Sequence, residues 1–320
     1  MRRLEESQSR RTFVKSAAVA GVTMSNLFPG FSRKTDSRSH ICVFSKHLQW
    51  LDVGSLARTA AQIGFDGIDL TVRSGGHIEP ENAEKELPGA VEVISKAGLS
   101  VPMVTSGIVD VSTPHAERVL RAMKSSGISR YRWGGLKYSE KLPIAAQLEG
   151  LKRQASTLAE LNAKYGVCAM YHTHSGLEVG ASIWDLWEIL KDLDQKYVAV
   201  NLDLGHVTIE GGLGGRVTNT RLIAPLTRGI AVKDFKWVQT SRGEWRPEWC
   251  PLGKGMVNFA QLFGILKDAK FDGPIQLHFE YALGGAESGK KTLTIGQDVV
   301  IEAMRHDLTT LRALIAKTDF

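Results

Sequence analysis

From residue 40 onward, short β-branched apolar runs alternate with longer segments of helical period, eight times over. The strand-like runs are 41–45, 67–72, 100–105, 129–133, 167–173, 197–203, 229–234 and 274–280. Helical stretches fall at 52–63, 80–97, 114–126, 144–165, 182–195, 258–269 and 296–317. Helices of this length between strands impose parallel pairing, because a parallel neighbour is reached through a right-handed crossover. Several helices stop at a glycine suited to a left-handed C-cap, as in Ile63-Gly64, Ala97-Gly98 and Tyr165-Gly166. Eight such units in residues 39–320, with no break in composition, predict an α/β fold. A single-domain (β/α)8 TIM barrel fits better than a doubly wound sheet. The sixth unit is the weakest, since Gly211-Gly212-Leu213-Gly214-Gly215 predicts a flexible loop before a short helix at 219–226. The segment from Trp237 to Trp249 predicts a long loop able to cover a site.

Charge bears on which partners to expect. The chain holds 40 Lys+Arg against 34 Asp+Glu, a net of +6. Eight of those basic and three of those acidic side chains lie in residues 1–38, leaving 32 against 31 in the remainder. A body with a net of +1 offers no broad basic surface, which argues against a nucleic-acid partner. No apolar run of spanning length follows the N-terminus, so no integral membrane domain is expected. Ser9-Arg10-Arg11-Thr12-Phe13-Val14-Lys15, followed by the mildly apolar 16–28 and Pro29-Gly30, resembles a twin-arginine export signal. That reading makes 1–38 a signal and linker and 39–320 the barrel domain. It makes the twin-arginine export machinery a partner and the periplasm the destination, with the mature chain starting between about 30 and 40. Cytoplasmic retention of an intact fusion would contradict it. No clear small-x-small cleavage site precedes residue 40, so an uncleaved anchor stays open. Cys42, Cys168 and Cys250 are odd in number and far apart, and read as free thiols.

In a (β/α)8 barrel the chemistry sits at the C-terminal ends of the strands, where the βα-loops converge. Strand five ends Tyr171-His172-Thr173-His174. His172 and His174 share a face with Cα atoms about 6.5–7 Å apart, a spacing that lets two imidazoles reach one ion. Strand six ends Asn201-Leu202-Asp203-Leu204-Gly205-His206, placing a carboxylate where an apolar strand meets a glycine turn. Such a group must be hydrogen-bonded, paired or metal-bound. Strand eight alternates Gln276, His278 and Glu280 with apolar residues, and Glu280 at its end is a candidate ligand, base or both. Strand seven supplies Lys233-Asp234, where Lys233 either steadies a substrate oxygen or pairs with Asp203 or Glu280. Asp69, Thr71 and Arg73 on strand two, His77 in the loop that follows, His47 after strand one and Trp133 at the end of strand four complete the polar and aromatic mouth. Of these, His174, His47, Arg73, His77, Trp133 and His278 are candidate substrate contacts.

The segments Gly64-Phe65-Asp66-Gly67-Ile68-Asp69-Leu70, Tyr171-His172-Thr173-His174, Asp203-Leu204-Gly205-His206, Val232-Lys233-Asp234-Phe235, Gly253-Lys254-Gly255 and His278-Phe279-Glu280 resemble the xylose isomerase-like barrels, the sugar phosphate isomerase/epimerase family. The resemblance spans 40–320. It implies one divalent ion (Mn, Mg, Co or Zn) held by Glu, Asp, His and Glu on strands five to eight. Asp203 and Glu280 match that pattern, and His206 matches a substrate-contacting histidine. His172 stands where a Glu is usual, and Ala231 where a His is usual. The altered ligand set is then His172, Asp203 and Glu280, with Glu280, Lys233 and His206 as catalytic groups. The activity implied is a metal-dependent sugar isomerase or epimerase that abstracts a proton next to a carbonyl. A lyase or dehydratase working by β-elimination is the first alternative, and a non-catalytic sugar-binding barrel the second. The substrate is a small carbohydrate, and a homo-oligomer stays open.

Overall fold

In the computed structural model, which describes residues 40–320, eight parallel strands close on themselves. The chain order is β1 (Ile41–Phe44), α1 (Val53–Ile63), β2 (Gly67–Val72), α2 (Ala83–Lys96), β3 (Ser100–Ser106), α3 (Ala116–Ser125), β4 (Arg130–Trp133), α4 (Ile144–Tyr165) and β5 (Cys168–His172). It continues with α5 (Ile183–Leu190), β6 (Val198–Asp203), α6 (Leu204–Ile223), β7 (Thr227–Val232), β8 (Asp234–Gln239), β9 (Trp245–Cys250), α7 (Phe259–Asp268), β10 (Ile275–Leu277) and α8 (Gln297–Thr318). Strands β1 to β7 follow in order around the barrel, and β10 closes it by pairing with β7 and β1, Val43 lying opposite Leu277. The expected (β/α)8 architecture is therefore the one observed. The proposed export signal lies outside the described residues.

Strand alternation sorts the side chains into two shells. Ile68, Leu70, Tyr131, Trp133, Tyr171, Val200, Leu202, Ile230, Val232, Ile275 and Leu277 belong to the continuous apolar core shared with the helices. The opposite parity turns inward. There Met103, Cys168, Met170 and Ala199 form a separate apolar plug toward the strand N-termini. Above it the interior becomes polar. Asn201 and Gln276, both fully buried, satisfy each other through two reciprocal amide hydrogen bonds of 3.0 Å. Gly229 makes room for this pair, since a Cβ there would stand 3.1 Å from Asn201 Oδ1 and from Met170.

Two segments depart from the sequence reading. The expected loop from Trp237 to Trp249 is a hairpin, β8 pairing antiparallel with β9 from Asp234↔Cys250 to Gln239↔Trp245. Its strands are short and mostly exposed, so burial gave no period-2 signal. The glycine-rich part of unit six is helical. Asp203 caps α6 by accepting the His206 N–H at 3.0 Å, and the helix runs to Ile223 with one non-helical residue, Gly212 (φ 53°, ψ −140°). Packing of the two arms outweighs the low propensity of the glycines, which instead permit the kink. No helix among the described residues is long and apolar enough to cross a membrane. All three cysteines are free and buried.

The hairpin is tied down by one carboxylate. Asp234 accepts N–H bonds from Phe235 (2.9 Å) and Val257 (3.1 Å) on Oδ1, and from Gly253 (3.0 Å) and Gly255 (2.9 Å) on Oδ2. A Cβ on Gly255 would overlap both the Asp234 carboxylate and the Phe235 carbonyl oxygen. Gly255→Ala is thus expected to lower stability by about 2–3 kcal/mol, read as a smaller urea midpoint at unchanged slope. A midpoint equal to the parent's would refute the clasp.

Candidate metal centre and its surroundings

His172 ends β5, Asp203 ends β6, and His278 is the first residue beyond β10. All three are at most 2% exposed, and one ligand atom from each lies within 4.8 Å of the others. His172 Nε2 stands 3.6 Å from Asp203 Oδ2. The Oδ1 atom of Asp203 is spent on the α6 cap, while Oδ2 makes no hydrogen bond and faces Lys233 Nζ as an ion pair at 3.2 Å. Neither ring nitrogen of His278 has a hydrogen-bond partner, although its ring stacks on Phe44 with centroids 4.8 Å apart. Burying polar atoms without partners costs about 1–3 kcal/mol each, so the His278 nitrogens call for one. A divalent cation would take one nitrogen of His278 together with His172 and Asp203, and two imidazoles with a carboxylate suit Zn, Co or Mn well. Burial, then the charge of Arg132, holds His172 far below the usual imidazole range, and burial does the same to His278. Both are neutral, the form that binds metal.

The orientation of His172 depends on the amide pair below it. Asn201 Nδ2 lies 3.2 Å from His172 Nδ1. Exchanging the O and N positions of Asn201 and Gln276 together preserves their mutual bonds and makes Asn201 an acceptor for an Nδ1–H proton. That arrangement leaves the Nε2 lone pair facing Asp203 and the trio.

The sequence reading places Glu280 among the ligands, and geometry commits it elsewhere. Its Oε1 pairs with Lys46 Nζ at 3.0 Å and its Oε2 with Lys233 Nζ at 2.7 Å. Burial alone pushes this carboxyl up, but the charges of Lys233 and Lys46 overcome it and hold it well below the usual range. His278 takes its place in the convergent set. Lys233 Nζ also approaches His206 Nε2 at 2.8 Å and Asp203 Oδ2 at 3.2 Å, over the Trp249 ring at 4.1 Å from its centroid. It therefore makes both of the ion pairs weighed for it. On its other side His206 Nδ1 accepts from the Ser175 N–H at 3.1 Å and lies 2.7 Å from Ser175 Oγ. Burial and the Lys233 charge lower His206 to about 2.

The other expected contacts divide. His174 accepts from Arg132 Nη2 at 3.1 Å and remains half-buried at the mouth. His77 bonds Thr71 Oγ1 at 3.0 Å, and Arg73 stands beside the Phe44 ring. His47 and Trp133 are corrections, for both are fully buried with their polar atoms used inside the fold. His47 reaches the Ala286 carbonyl and accepts from the Phe279 N–H, each at 3.1 Å, pinning the loop after β10. Trp133 faces the helices and donates to the Val109 carbonyl at 2.8 Å. Sequence reasoning misses Arg132, although its alternation with the outward Tyr131 and Trp133 signals an inward guanidinium. Beside it Asp69 is fully buried, both oxygens accepting from Thr105 Oγ1 at 2.9 and 3.0 Å. Burial pushes its carboxyl up to about 7, against the pull of Thr105, Arg132 and Arg73.

This geometry belongs to the class of parallel barrels whose strand ends gather polar groups at one mouth. Within that class the family model described as xylose isomerase-like TIM barrel matches residues 57–298, and the chain belongs to that family. A comparison with curated proteins returns no match. Among solved structures, a xylose isomerase-like TIM barrel protein from Mycobacterium smegmatis in complex with magnesium is similar at TM-score 0.61 and 15% identity, over 84% of this chain and 98% of that one. A 3-keto-D-glucoside 4-epimerase from E. coli gives 0.61 and 15%, over 86% and 100% of the two chains. A probable 3-DHS dehydratase from Bacillus anthracis gives 0.63 and 16%, over 86% and 99%. At such identities the likeness is one of fold.

Proposed function

We propose that the protein is a divalent-metal-dependent isomerase or epimerase that shifts a proton at the carbon next to the carbonyl of a sugar or keto-sugar, acting in the periplasm after twin-arginine export. The observation that carries the reading is the trio His172, Asp203 and His278, buried at the barrel mouth with one ligand atom from each within 4.8 Å of the others and neither His278 nitrogen hydrogen-bonded. These three would hold the ion, which supplies Lewis-acid polarisation of the carbonyl oxygen when bound. Glu280 is the ionised carboxylate placed to take the proton from carbon, and substrate entry loosens its pairing with Lys46 or Lys233. Lys233 donates toward the oxygen that gains negative charge, and His206 links Lys233 to Ser175 in the loop after β5.

A lyase that expels a β-leaving group after the same deprotonation is the second reading. Inversion at carbon needs acid–base groups on two faces, whereas Glu280, Lys233 and His206 are bonded together on one. The fold's other members support both readings, since a 4-epimerase and a probable dehydratase share it. Incubation of manganese-loaded protein with keto-sugars in deuterated water is expected to give exchange at the carbon next to the carbonyl, seen by NMR and abolished by chelator. A new epimer marks the first reading and loss of a substituent the second. A metal-loaded protein that binds sugars without any exchange would instead be a non-catalytic sugar-binding barrel.

A further inference from the structure

Two arginines at the mouth have no part in the chemistry above. Strand alternation turns Arg132 into the barrel from β4, and Arg73 follows the end of β2. Their guanidinium carbons lie 5.7 and 5.6 Å from the centroid of the Phe44 ring, whose neighbour on the ion side is the stacked His278. The ion pairs of the mouth are Lys46–Glu280, Lys233–Glu280 and Lys233–Asp203. Among the described residues neither arginine enters one. Arg132 gives a single side-chain hydrogen bond, to His174, and the Arg73 side chain gives none. Each guanidinium carries five N–H donors in a planar fork, so most of this capacity is unused within the described residues.

The charge balance points the same way. Lys46, Arg73, Arg132 and Lys233 face Asp69, Asp203 and Glu280, an excess of positive charge before any divalent ion is counted. A neutral sugar that displaced water would leave the guanidinium donors unpaired and that excess uncompensated. A carboxylate pairs with both, because its two oxygens match the fork. We propose that Arg73 and Arg132 clamp the carboxylate of an acidic sugar whose carbonyl end lies toward His172, Asp203 and His278. This deepens the reading above and rests on it for which end of the molecule reacts.

The test is calorimetric binding to manganese-loaded and to chelated protein. The probes are glucuronate and galacturonate, the neutral glucose and galactose, and glucose 6-phosphate. The acids are expected to bind about tenfold or more tightly than their neutral partners. Arg73→Met is expected to erase that preference while manganese affinity stays at the parent value, and Arg73→Lys to keep part of it. Equal binding of acid and neutral sugar, tighter binding of the phosphate, no saturable binding of either acid, or a preference intact in Arg73→Met would each overturn the clamp. Manganese titration by electron paramagnetic resonance separates the two claims. Bound manganese without acid preference overturns the clamp alone. Acid preference without any bound manganese keeps the clamp and overturns the metal reading.

Discussion

Asp203→Asn is expected to remove divalent-ion binding from this barrel while leaving the metal-free fold in place. The substitution keeps an oxygen to cap α6 through the His206 N–H, which Asp203 Oδ1 now accepts at 3.0 Å. It converts Oδ2, the atom facing His172 Nε2 and ion-paired with Lys233 Nζ, into an amide nitrogen. An N–H₂ group cannot ligate a cation, and the site loses its one carboxylate charge. The loss in manganese affinity is therefore expected to exceed the roughly 10–100-fold that follows removal of an outer-shell partner. Asn201→Ala, which removes the amide beside His172 Nδ1, provides that smaller effect as an internal comparison. Metal-free stability should shift by no more than about 1–2 kcal/mol, since Lys233 keeps Glu280 as counterion and a buried carboxylate is itself costly. Manganese titration and melting curves with and without metal measure the two quantities separately. An Asp203→Asn variant that binds manganese like the parent would return Glu280 to the ligand set.

The eight-unit alternation was enough to establish the barrel, because parallel strands buried on both faces leave apolar runs that helices must interrupt. It also marked His172 and Asp203 as candidate ligands and His278 as a candidate substrate contact, since polar residues at the ends of such runs have few places to point. The role of Glu280 was not legible in the same way. Parity groups 276, 278 and 280 on one face, but β10 ends at Leu277, and the next residues follow the loop rather than the strand. The partner that claims Glu280 Oε1 is Lys46, which is distant in sequence and brought near only when the barrel closes. His47 and Trp133 failed as mouth residues for a related reason. Their residue types announce hydrogen bonding and stacking, while the partners that absorb both, Ala286, Phe279 and Val109, come from other units. The hairpin after β7 left no periodic trace because little of it is buried.

Replacing Asp69 by asparagine is expected to flatten the pH dependence of stability and to stabilise the protein most at alkaline pH. The ordinary aspartate value is about 3.9, and burial raises this one to about 7. Between those values the folded chain holds a proton that the unfolded chain has released. Stability from this group is thus fully present below pH of about 4, falls as pH rises, and is lost above about 7. A shift of three units corresponds to about 4 kcal/mol at most. The charged and titratable groups packed against Asp69 are Arg132 on β4, Arg73 beyond β2 and Cys42 on β1, with Thr105 on β3 supplying the hydrogen bonds. Asparagine keeps an acceptor for Thr105 and carries no charge to desolvate. Urea unfolding at pH 5 and pH 8 measures the effect: the variant should gain at least about 2 kcal/mol more over the parent at the higher pH. Parallel curves for the two proteins would show that Asp69 stays ionised in the fold, neutralised by Arg73 and Arg132. In that case the arginines would have less positive charge left for any incoming carboxylate, so the same measurement bears on how strongly an acidic sugar is held.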